Sequence, residues 1–230
     1  MNAQRRARPL LGTLVEVGIT VGKNDVAFSA AFDAVQTVQT LMSRFEPGSD
    51  IGRFHALPVG RSLTIDHRTA DVLHAAAWLH AESAGLFDIA QGSAVGGWHC
   101  EGLRLTKRHE NVRLDLGGIA KGYAVDCAVA ALQDFGCEAG WVNAGGDLRA
   151  FGAVELPVAL RDEQHGGVRP FGVLSNGAFA TSHREGANAR HVSVMAPQCL
   201  WADALTKVVA LSARTDHPLL AQQGARAWLH

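Results

Sequence analysis

Residues 114–126 read LDLGGIAKGYAVD, and this stretch decides the fold. The alternating apolar residues of 112–116 predict a β-strand, and the helical spacing that follows predicts an α-helix over 119–135. Gly117 and Gly118 form the turn, and backbone amides at such a helix N-terminus can bind phosphate because no β-carbon blocks the approach. A tight strand–helix turn beside a solvated lysine explains the same residues equally well, so this pattern alone leaves both interpretations open.

Strand-like and helix-like segments follow one another along the rest of the chain without a strict βαβ repeat. Further strands are predicted at residues 14–21, 141–143, 148–151, 157–161, 173–174, 179–181 and 191–195. Further helices are predicted at residues 26–44, 67–83, 202–212 and 218–223, with Asn24 and Asp25 as the N-cap of the first. This order favours an α+β fold, and we expect one compact unit over the whole length, 1–230.

The composition argues against several classes of protein. The formal net charge of −1 lacks the basic excess of a nucleic-acid-binding protein, and no apolar run is long enough for a membrane-spanning helix. The basic start MNAQRRARPL is not followed by the apolar segment of an export signal. Four scattered cysteines without a C-x-x-C pair argue against zinc-ribbon and thioredoxin-like sites, and they favour a reducing compartment. We therefore expect a cytoplasmic protein.

Two further segments carry groups that suit a ligand site. Residues 142–149, VNAGGDLR, combine a strand, a double glycine and an acidic residue, although a plain hairpin turn uses the same residue types. Thr181 and Ser182 offer hydroxyl groups, and His191 can accept a proton from an attacking hydroxyl near neutral pH. The chain has 11 histidines, so a surface position explains His191 on its own just as readily.

A charged pair interrupts the apolar helix that is predicted near the C-terminus. Asp203 and Lys207 are four residues apart, so both lie on one face of that helix. A surface ion pair is the simplest explanation. However, the neighbouring residues Trp201, Ala202 and Val208 are apolar, and a charged pair in apolar surroundings needs a partner or a function.

Together and in this order, the motifs resemble the ApbE family, the FAD:protein FMN transferases formerly called thiamine biosynthesis lipoproteins. The stretches LDLGGIAKGYAVD and VNAGGDLR are similar to the two strongest family motifs almost letter for letter. Shorter similarities are LGT at 11–13, MSRF at 42–45, GLFD at 85–88, TS at 181–182, His191, and ADAL at 202–205. The resemblance extends over nearly the whole chain.

The resemblance implies a T-fold-related α+β fold of mixed sheets packed with helices, and it implies a reaction. A threonine or serine hydroxyl of a target protein attacks FAD beside a bound Mg²⁺, AMP leaves, and FMN stays on the target. The residues that the resemblance assigns to the cofactor are Gly12, Thr13, Asp88, Gly117, Gly118, Lys121, Asp126, Gly145, Gly146, Asp147, Thr181 and Ser182. The carbonyl of Gly118 and the carboxylate of Asp203 would bind the metal, and His191 would act as general base.

One residue departs from the family pattern at the expected metal site. The family helix carries a threonine four residues after its aspartate, whereas this chain has Lys207 there and Thr206 one residue early. Lys207 is therefore a second candidate catalytic residue beside His191. It either replaces the metal as a cation on the pyrophosphate, or turns aside and leaves a weaker Mg²⁺ site, or belongs to a protein that binds flavin without transferring it. A pyrophosphatase that splits FAD into FMN and AMP is a further alternative.

Overall fold

The computed structural model describes residues 3–22, 25–161, 166–184 and 190–230. Its strands are β1 (Gln4–Leu10), β2 (Thr13–Val21), β3 (Ser62–Thr64), β4 (Trp98–Glu101), β5 (Arg104–Lys107), β6 (Ala139–Ala144), β7 (Asp147–Phe151), β8 (Leu156–Arg161), β9 (Val168–Leu174), β10 (Gly177–Arg184), β11 (Arg190–Ala196) and β12 (Arg226–Leu229). Its helices are α1 (Asp25–Met42), α2 (Asp50–His55), α3 (His67–Glu82), α4 (Ala120–Asp134), α5 (Cys199–Ser212) and α6 (Pro218–Gln222). The helices predicted from periodicity are confirmed, with ends that differ by a few residues.

A seven-stranded sheet with the strand order β1-β2-β6-β7-β10-β11-β12 forms the centre of the architecture. The smaller sheets have the orders β3-β5-β4 and β8-β9. The α+β class is confirmed. The strand pairs among the described residues are all antiparallel rather than of mixed direction, as expected where short hairpins such as β1–β2, β6–β7 and β10–β11 connect neighbours.

Helices α1, α4 and α5 pack on one face of this sheet. Each buries a stripe of apolar side chains at helical spacing, and in α1 the stripe includes Phe28, Phe32 and Val35. Gly122 allows α4 and α5 to approach closely, because a β-carbon there would lie 2.2 Å from the carbonyl oxygen of Cys199. The small residue at this crossing therefore sets the distance between the two helices.

The carboxylate of Asp126 in α4 binds the N-terminus of α5. It accepts hydrogen bonds from the backbone amides of Cys199 (2.9 Å) and Leu200 (2.8 Å), and Arg149 donates to it at 2.7 Å. Gln198, the residue before α5, supplies no side-chain cap, so a neighbouring helix provides one. Burial raises the pKa of Asp126, while these three donors oppose the rise.

The remaining elements cover the two outer sides of the structure. The hairpin β8–β9 packs on the sheet face that carries Trp141 and Phe179. Beyond the helical layer lie α2, α3 and the sheet β3-β5-β4, whose apolar side chains, such as Phe54 and Leu105, join the main core. Among the described residues, none of the helices combines the length and the apolar character that crossing a bilayer requires.

Residues 112–116 do not form the predicted strand. Every second side chain of this segment is buried, as in a half-buried strand, but the backbone has no strand partner. Its amides bond elsewhere: Leu114 donates to the ring of His55, and Asp115 donates to the carbonyl of Ile89, both at 2.8 Å. The alternation of apolar residues at 112–116 thus arises because one side of an extended segment is buried. It does not indicate hydrogen bonding to a neighbouring strand.

The sequence prediction also misses α2 and the strands β1, β3, β4, β5 and β12. Strand β1 is almost entirely exposed, so it lacks the apolar alternation by which strands are recognised. It is held by pairing with β2 and by two arginines, Arg6 and Arg8, which lie 4.6 Å from the ring centres of Phe28 and Phe32. Asn24, part of the predicted N-cap of α1, lies outside the described residues.

We expect the substitution Gly122→Ala to lower the free energy of unfolding by about 1–3 kcal/mol, the usual cost of an added methyl group in a packed interior. Urea unfolding followed by circular dichroism measures this loss. Gly48→Ala is the matched control, because a β-carbon at Gly48 has no heavy atom within 4 Å. Equal stability of the two variants would contradict the close α4–α5 contact.

We expect Asp126→Asn to lower the free energy of unfolding by about 1–3 kcal/mol, because the new amide group cannot accept one of the hydrogen bonds from α5. The matched control is Asp134→Asn at the exposed end of the same helix. Chemical denaturation of both variants at neutral pH provides the comparison. If the two are equally stable, Asp126 does not hold α5.

Candidate functional site

The glycine-rich turn between β6 and β7 lies at one end of the seven-stranded sheet. Gly145 adopts a φ of +64°, and a β-carbon there would lie 2.5 Å from the hydroxyl oxygen of Thr13. The amide of Gly146 donates to the side-chain oxygen of Asn143 at 2.9 Å and closes the turn. The turn therefore contacts the start of β2, so two motifs far apart in the sequence meet here.

A pocket of about 380 Å³ lies between the β1–β2 turn, the end of α1 and the start of α4. Its lining is mainly apolar and includes Gly12, Met42, Ser43, Phe45, Gly117 and Lys121. The side chain of Gln39 accepts a hydrogen bond from the amide of Leu11 at 2.5 Å and so ties the β1–β2 turn to α1. The volume falls in the range of small-molecule pockets, and three of the quoted motifs supply the walls.

The carboxylate of Asp115 stabilises the turn before α4. Asp115 is not among the site residues predicted from the sequence. Its carboxylate accepts a hydrogen bond from the amide of Gly117 at 2.9 Å, and Arg44 lies 3.6 Å from the same carboxylate. An aspartate two residues before a glycine is a known signal for such a turn. The contact with Arg44 could not be foreseen, because it joins two segments that only the fold brings together.

Four charged side chains, Lys121, Asp147, Asp203 and Lys207, form a charge cluster where α4, β7 and α5 meet. The ammonium of Lys121 binds the carboxylate of Asp147, and the ammonium of Lys207 binds that of Asp203. The side chains of Asp147 and Asp203 are only 2% and 0% exposed, whereas those of Lys121 and Lys207 are 34% and 29% exposed. The lysine side chains thus remain partly exposed, and the two aspartate side chains are buried.

Both carboxylate oxygens and the backbone carbonyl of Asp203 accept contacts from neighbouring donors. One carboxylate oxygen contacts Lys207, and the other accepts a hydrogen bond from the amide of Gly122 at 3.2 Å. Lys207 also donates to the backbone carbonyl of Asp203 at 3.1 Å. A β-carbon on Gly118 would lie 3.4 Å from Cε of Lys207, so the lysine passes directly beside the glycine turn. The pair is therefore not the surface ion pair that the sequence also allowed.

The cluster shifts the pKa values of two of its members, Asp147 and Lys121. Burial, and next the carboxylate of Asp203, raise the pKa of Asp147 to about 6, while Lys121 and Lys207 oppose the rise. Burial alone would lower the pKa of Lys121, but the carboxylates of Asp203 and Asp147 outweigh it, and that pKa is raised. The pKa values of Asp147 and Lys121 are therefore set by their charged neighbours as well as by burial.

The residues present do not fit a divalent metal. Mg²⁺ requires oxygen ligands in octahedral geometry, and both carboxylate oxygens of Asp203 already contact donors. The ammonium of Lys207 lies beside Asp203 and Gly118, the two residues that the resemblance assigns to the metal. In the part of the chain that the structure describes, no three His, Cys, Asp or Glu side chains form a group that could hold a metal ion.

Two carboxylates expected at the cofactor are engaged elsewhere in the protein. Asp88 accepts hydrogen bonds from the amides of Ala90 and Gly92, both at 2.8 Å, and so closes its own loop. Asp126 holds the N-terminus of α5 and the side chain of Arg149. The structure does not bring either carboxylate into the pocket, and contact with a cofactor stays a prediction for both.

Thr181, Ser182 and His191 lie at the same end of the sheet as the β6–β7 turn, because β10 continues past the start of β7. Side chains alternate along a strand, so Ser182 belongs to the face that carries the helices. Thr181 and His191 belong to the other face, with Phe179, and His191 stacks on His183 at 4.1 Å between ring centres. His191 is thus separated from the charge cluster by the sheet, and its role as a base stays a prediction.

Comparisons with known proteins agree with this geometry. The model described as "ApbE family" matches residues 11–104 and 97–186. A curated protein from Rhodobacter capsulatus named "FAD:protein FMN transferase" is 27% identical over 76% of this chain. The chain spans 44% of the length of that relative.

Solved structures share the fold at low sequence identity. The apo form of Pseudomonas stutzeri flavinyl transferase ApbE has a TM-score of 0.84 at 19% identity, covering 99% of this chain and 90% of its own. Flavin transferase ApbE from Vibrio cholerae gives 0.84 at 18%, and the ApbE protein from Thermotoga maritima gives 0.86 at 20%; each covers 99% of this chain and 94% of its own. These similarities establish the fold alone. Because the family model matches most of the sequence, the chain belongs to the ApbE family.

Proposed function

We propose that this protein transfers FMN from FAD to a threonine or serine hydroxyl of a target protein and releases AMP. The acceptor oxygen forms a bond to the phosphorus on the riboflavin side of FAD. The bond from that phosphorus to the bridging oxygen breaks, AMP leaves with that oxygen, and the hydroxyl proton goes to a base. The printed names of the relatives, FAD:protein FMN transferase and flavinyl transferase, support this assignment.

The observation that carries the proposal is the meeting of the separate motifs at one pocket. The segments 11–13, 42–45 and 114–126 are distant in sequence, yet all three contribute to its walls or its immediate edge. The mainly apolar lining suits a flat aromatic ring system such as isoalloxazine, and Lys121 adds a cation at one side. A ligand with an aromatic ring and a phosphate chain matches both the apolar lining and the lysine at its side.

The charge cluster supports the phosphoryl chemistry. Phosphoryl transfer depends mainly on positioning and on neutralising the charge of the phosphates. Lys121 lies in the first turn of α4, where the helix N-terminus also favours negative charge. Buried Asp147 holds the ammonium of Lys121 in place, so the cation is oriented before the ligand arrives. The donor set of the cluster does not fit Mg²⁺, so the proposed reaction contains no step that uses it.

We propose that the target protein approaches over the open end of the sheet, where Ser182 and His191 lie. His191 would take the proton of the acceptor hydroxyl there, since an imidazole can do so near neutral pH. We further propose a cytoplasmic location, supported by the four cysteines, all of which are free thiols. The net charge of −1 gives no reason to add a nucleic acid to the partners.

Incubation of the protein with FAD and a pool of synthetic peptides that contain threonine or serine tests the proposal. We expect AMP together with peptide whose mass has increased by one FMN group, both detected by mass spectrometry. AMP with free FMN would instead identify a pyrophosphatase, and bound FAD without AMP would identify a flavin-binding protein. Failure to bind FAD at all, measured by flavin fluorescence, would overturn every flavin-based function.

We expect Lys121→Met to weaken FAD binding by about ten-fold or more, the usual effect of losing a hydrogen bond to a charged group. Riboflavin has no phosphate, so its affinity should change by less than about two-fold in the same variant. Fluorescence titration of both ligands gives the comparison, and Arg104→Met, at an exposed position of β5, is the matched control. Equal losses for FAD and riboflavin would show that Lys121 does not contact the phosphates.

A further inference from the structure

We propose that Lys207 is a built-in cation that takes the place of a divalent metal, so that the site binds the pyrophosphate of FAD without one. This inference rests on the proposed function, because it concerns how the same site neutralises its ligand. It makes the chain a metal-independent member of its fold family.

The position of Lys207 is the first argument. Its ammonium binds the carboxylate of Asp203, and its stem passes beside Gly118 in the turn that precedes α4. The adjacent residue, Gly117, lines the pocket together with Lys121. Lys207 therefore lies directly behind the wall against which the phosphates of a bound dinucleotide would lie, and a part of its side chain remains exposed.

The surroundings of the pair are the second argument. Most of α5 around Asp203 is buried, including Ala202, Ala204 and Val208. A buried ion pair gains little stability compared with apolar side chains of similar volume, because both charges must be removed from water. A pair at such a position, whose lysine stem passes beside the Gly118 turn, is thus better explained by ligand binding than by stability.

The balance of charge is the third argument. The pyrophosphate bridge of FAD carries two negative charges, and the partly exposed side chains of Lys121 and Lys207 together carry two positive charges, as one divalent ion does. The carboxylates of Asp147 and Asp203 lie beneath them and fix their positions. A lysine acts as a point charge on phosphate and needs no octahedral set of oxygen ligands.

Thr206 does not restore the hydroxyl that the family places on this helix. It is buried, and its hydroxyl donates to the backbone carbonyl of Asp203 at 2.6 Å. Its side chain is therefore committed to its own helix and contributes no ligand to the cluster. Because Thr206 offers no free hydroxyl and Lys207 binds the carboxylate, the partner of Asp203 is an ammonium group and not a metal.

The test compares wild-type protein with Lys207→Thr and Lys207→Met. The affinity for FAD is measured by flavin fluorescence in EDTA and again in Mg²⁺, and binding of Mn²⁺ without FAD is measured by electron paramagnetic resonance. For wild type, we expect FAD affinities that agree within about two-fold in EDTA and Mg²⁺, and no bound Mn²⁺. For Lys207→Met, we expect FAD affinity in EDTA to fall by about ten-fold or more.

Lys207→Thr should bind Mn²⁺ and should recover FAD affinity in Mg²⁺ but not in EDTA. The double variant Asp203→Asn/Lys207→Met removes both charges, so it folds even if the single variants leave a buried carboxylate that prevents folding. It should also bind FAD about ten-fold or more weakly, with no response to Mg²⁺. Arg104→Met controls for the loss of a cation elsewhere.

Any of three results would overturn the inference: wild-type protein that binds FAD only with Mg²⁺, variants without Lys207 that bind FAD as tightly as wild type in EDTA, or tight Mn²⁺ binding by wild-type protein. These outcomes are distinct from a failure of the proposed function. FAD binding with no AMP release would remove the transfer reaction and leave the role of Lys207 intact. Tight Mn²⁺ binding by wild-type protein would remove the role of Lys207 whatever the reaction proves to be.

Discussion

The burial of the Asp203 carboxylate is the constraint on which the site depends. An ionised carboxylate in an apolar interior is unstable unless it is paired and hydrogen-bonded, and Asp203 obtains both from the amide of Gly122 and the ammonium of Lys207. The amide is within reach only because α4 and α5 cross closely at Gly122. Asp126 holds the N-terminus of α5 at that crossing. One buried charge thus connects the helix packing to the position of Lys207.

A second ion pair, between Lys121 and Asp147, repeats the arrangement on the neighbouring elements α4 and β7. In both pairs the carboxylate is buried and the lysine side chain is partly exposed, and Lys121 lines the pocket. Such groups are already oriented before a ligand binds, and they need little rearrangement when charge develops during a reaction. The antiparallel sheet supports the elements that carry the two ion pairs, because β7 belongs to it and α4 and α5 pack on it.

The sequence predicts the parts of the molecule that depend on local pattern. Helix α4 and the double-glycine turns follow from periodicity and from glycine chemistry, and three of the residues assigned to the cofactor, Gly12, Gly117 and Lys121, line the pocket. The exposed strand β1 has no alternation to detect, and the alternating segment 112–116 is buried on one side without pairing. The capping of α5 by Asp126 depends on contact between distant residues. A single sequence shows which residue types are present, but it does not show which distant residues contact one another.

The most direct measurement is a crystal structure of the protein grown with FAD and Mn²⁺, with data collected at the manganese absorption edge. The anomalous signal reports the metal independently of the ligand. The account predicts FAD in the pocket beside α4, the ammonium of Lys207 within hydrogen-bond distance of a pyrophosphate oxygen, and no anomalous peak at Asp203. A manganese peak bound by Asp203 and the carbonyl of Gly118, with Lys207 turned away from the phosphates, would contradict it.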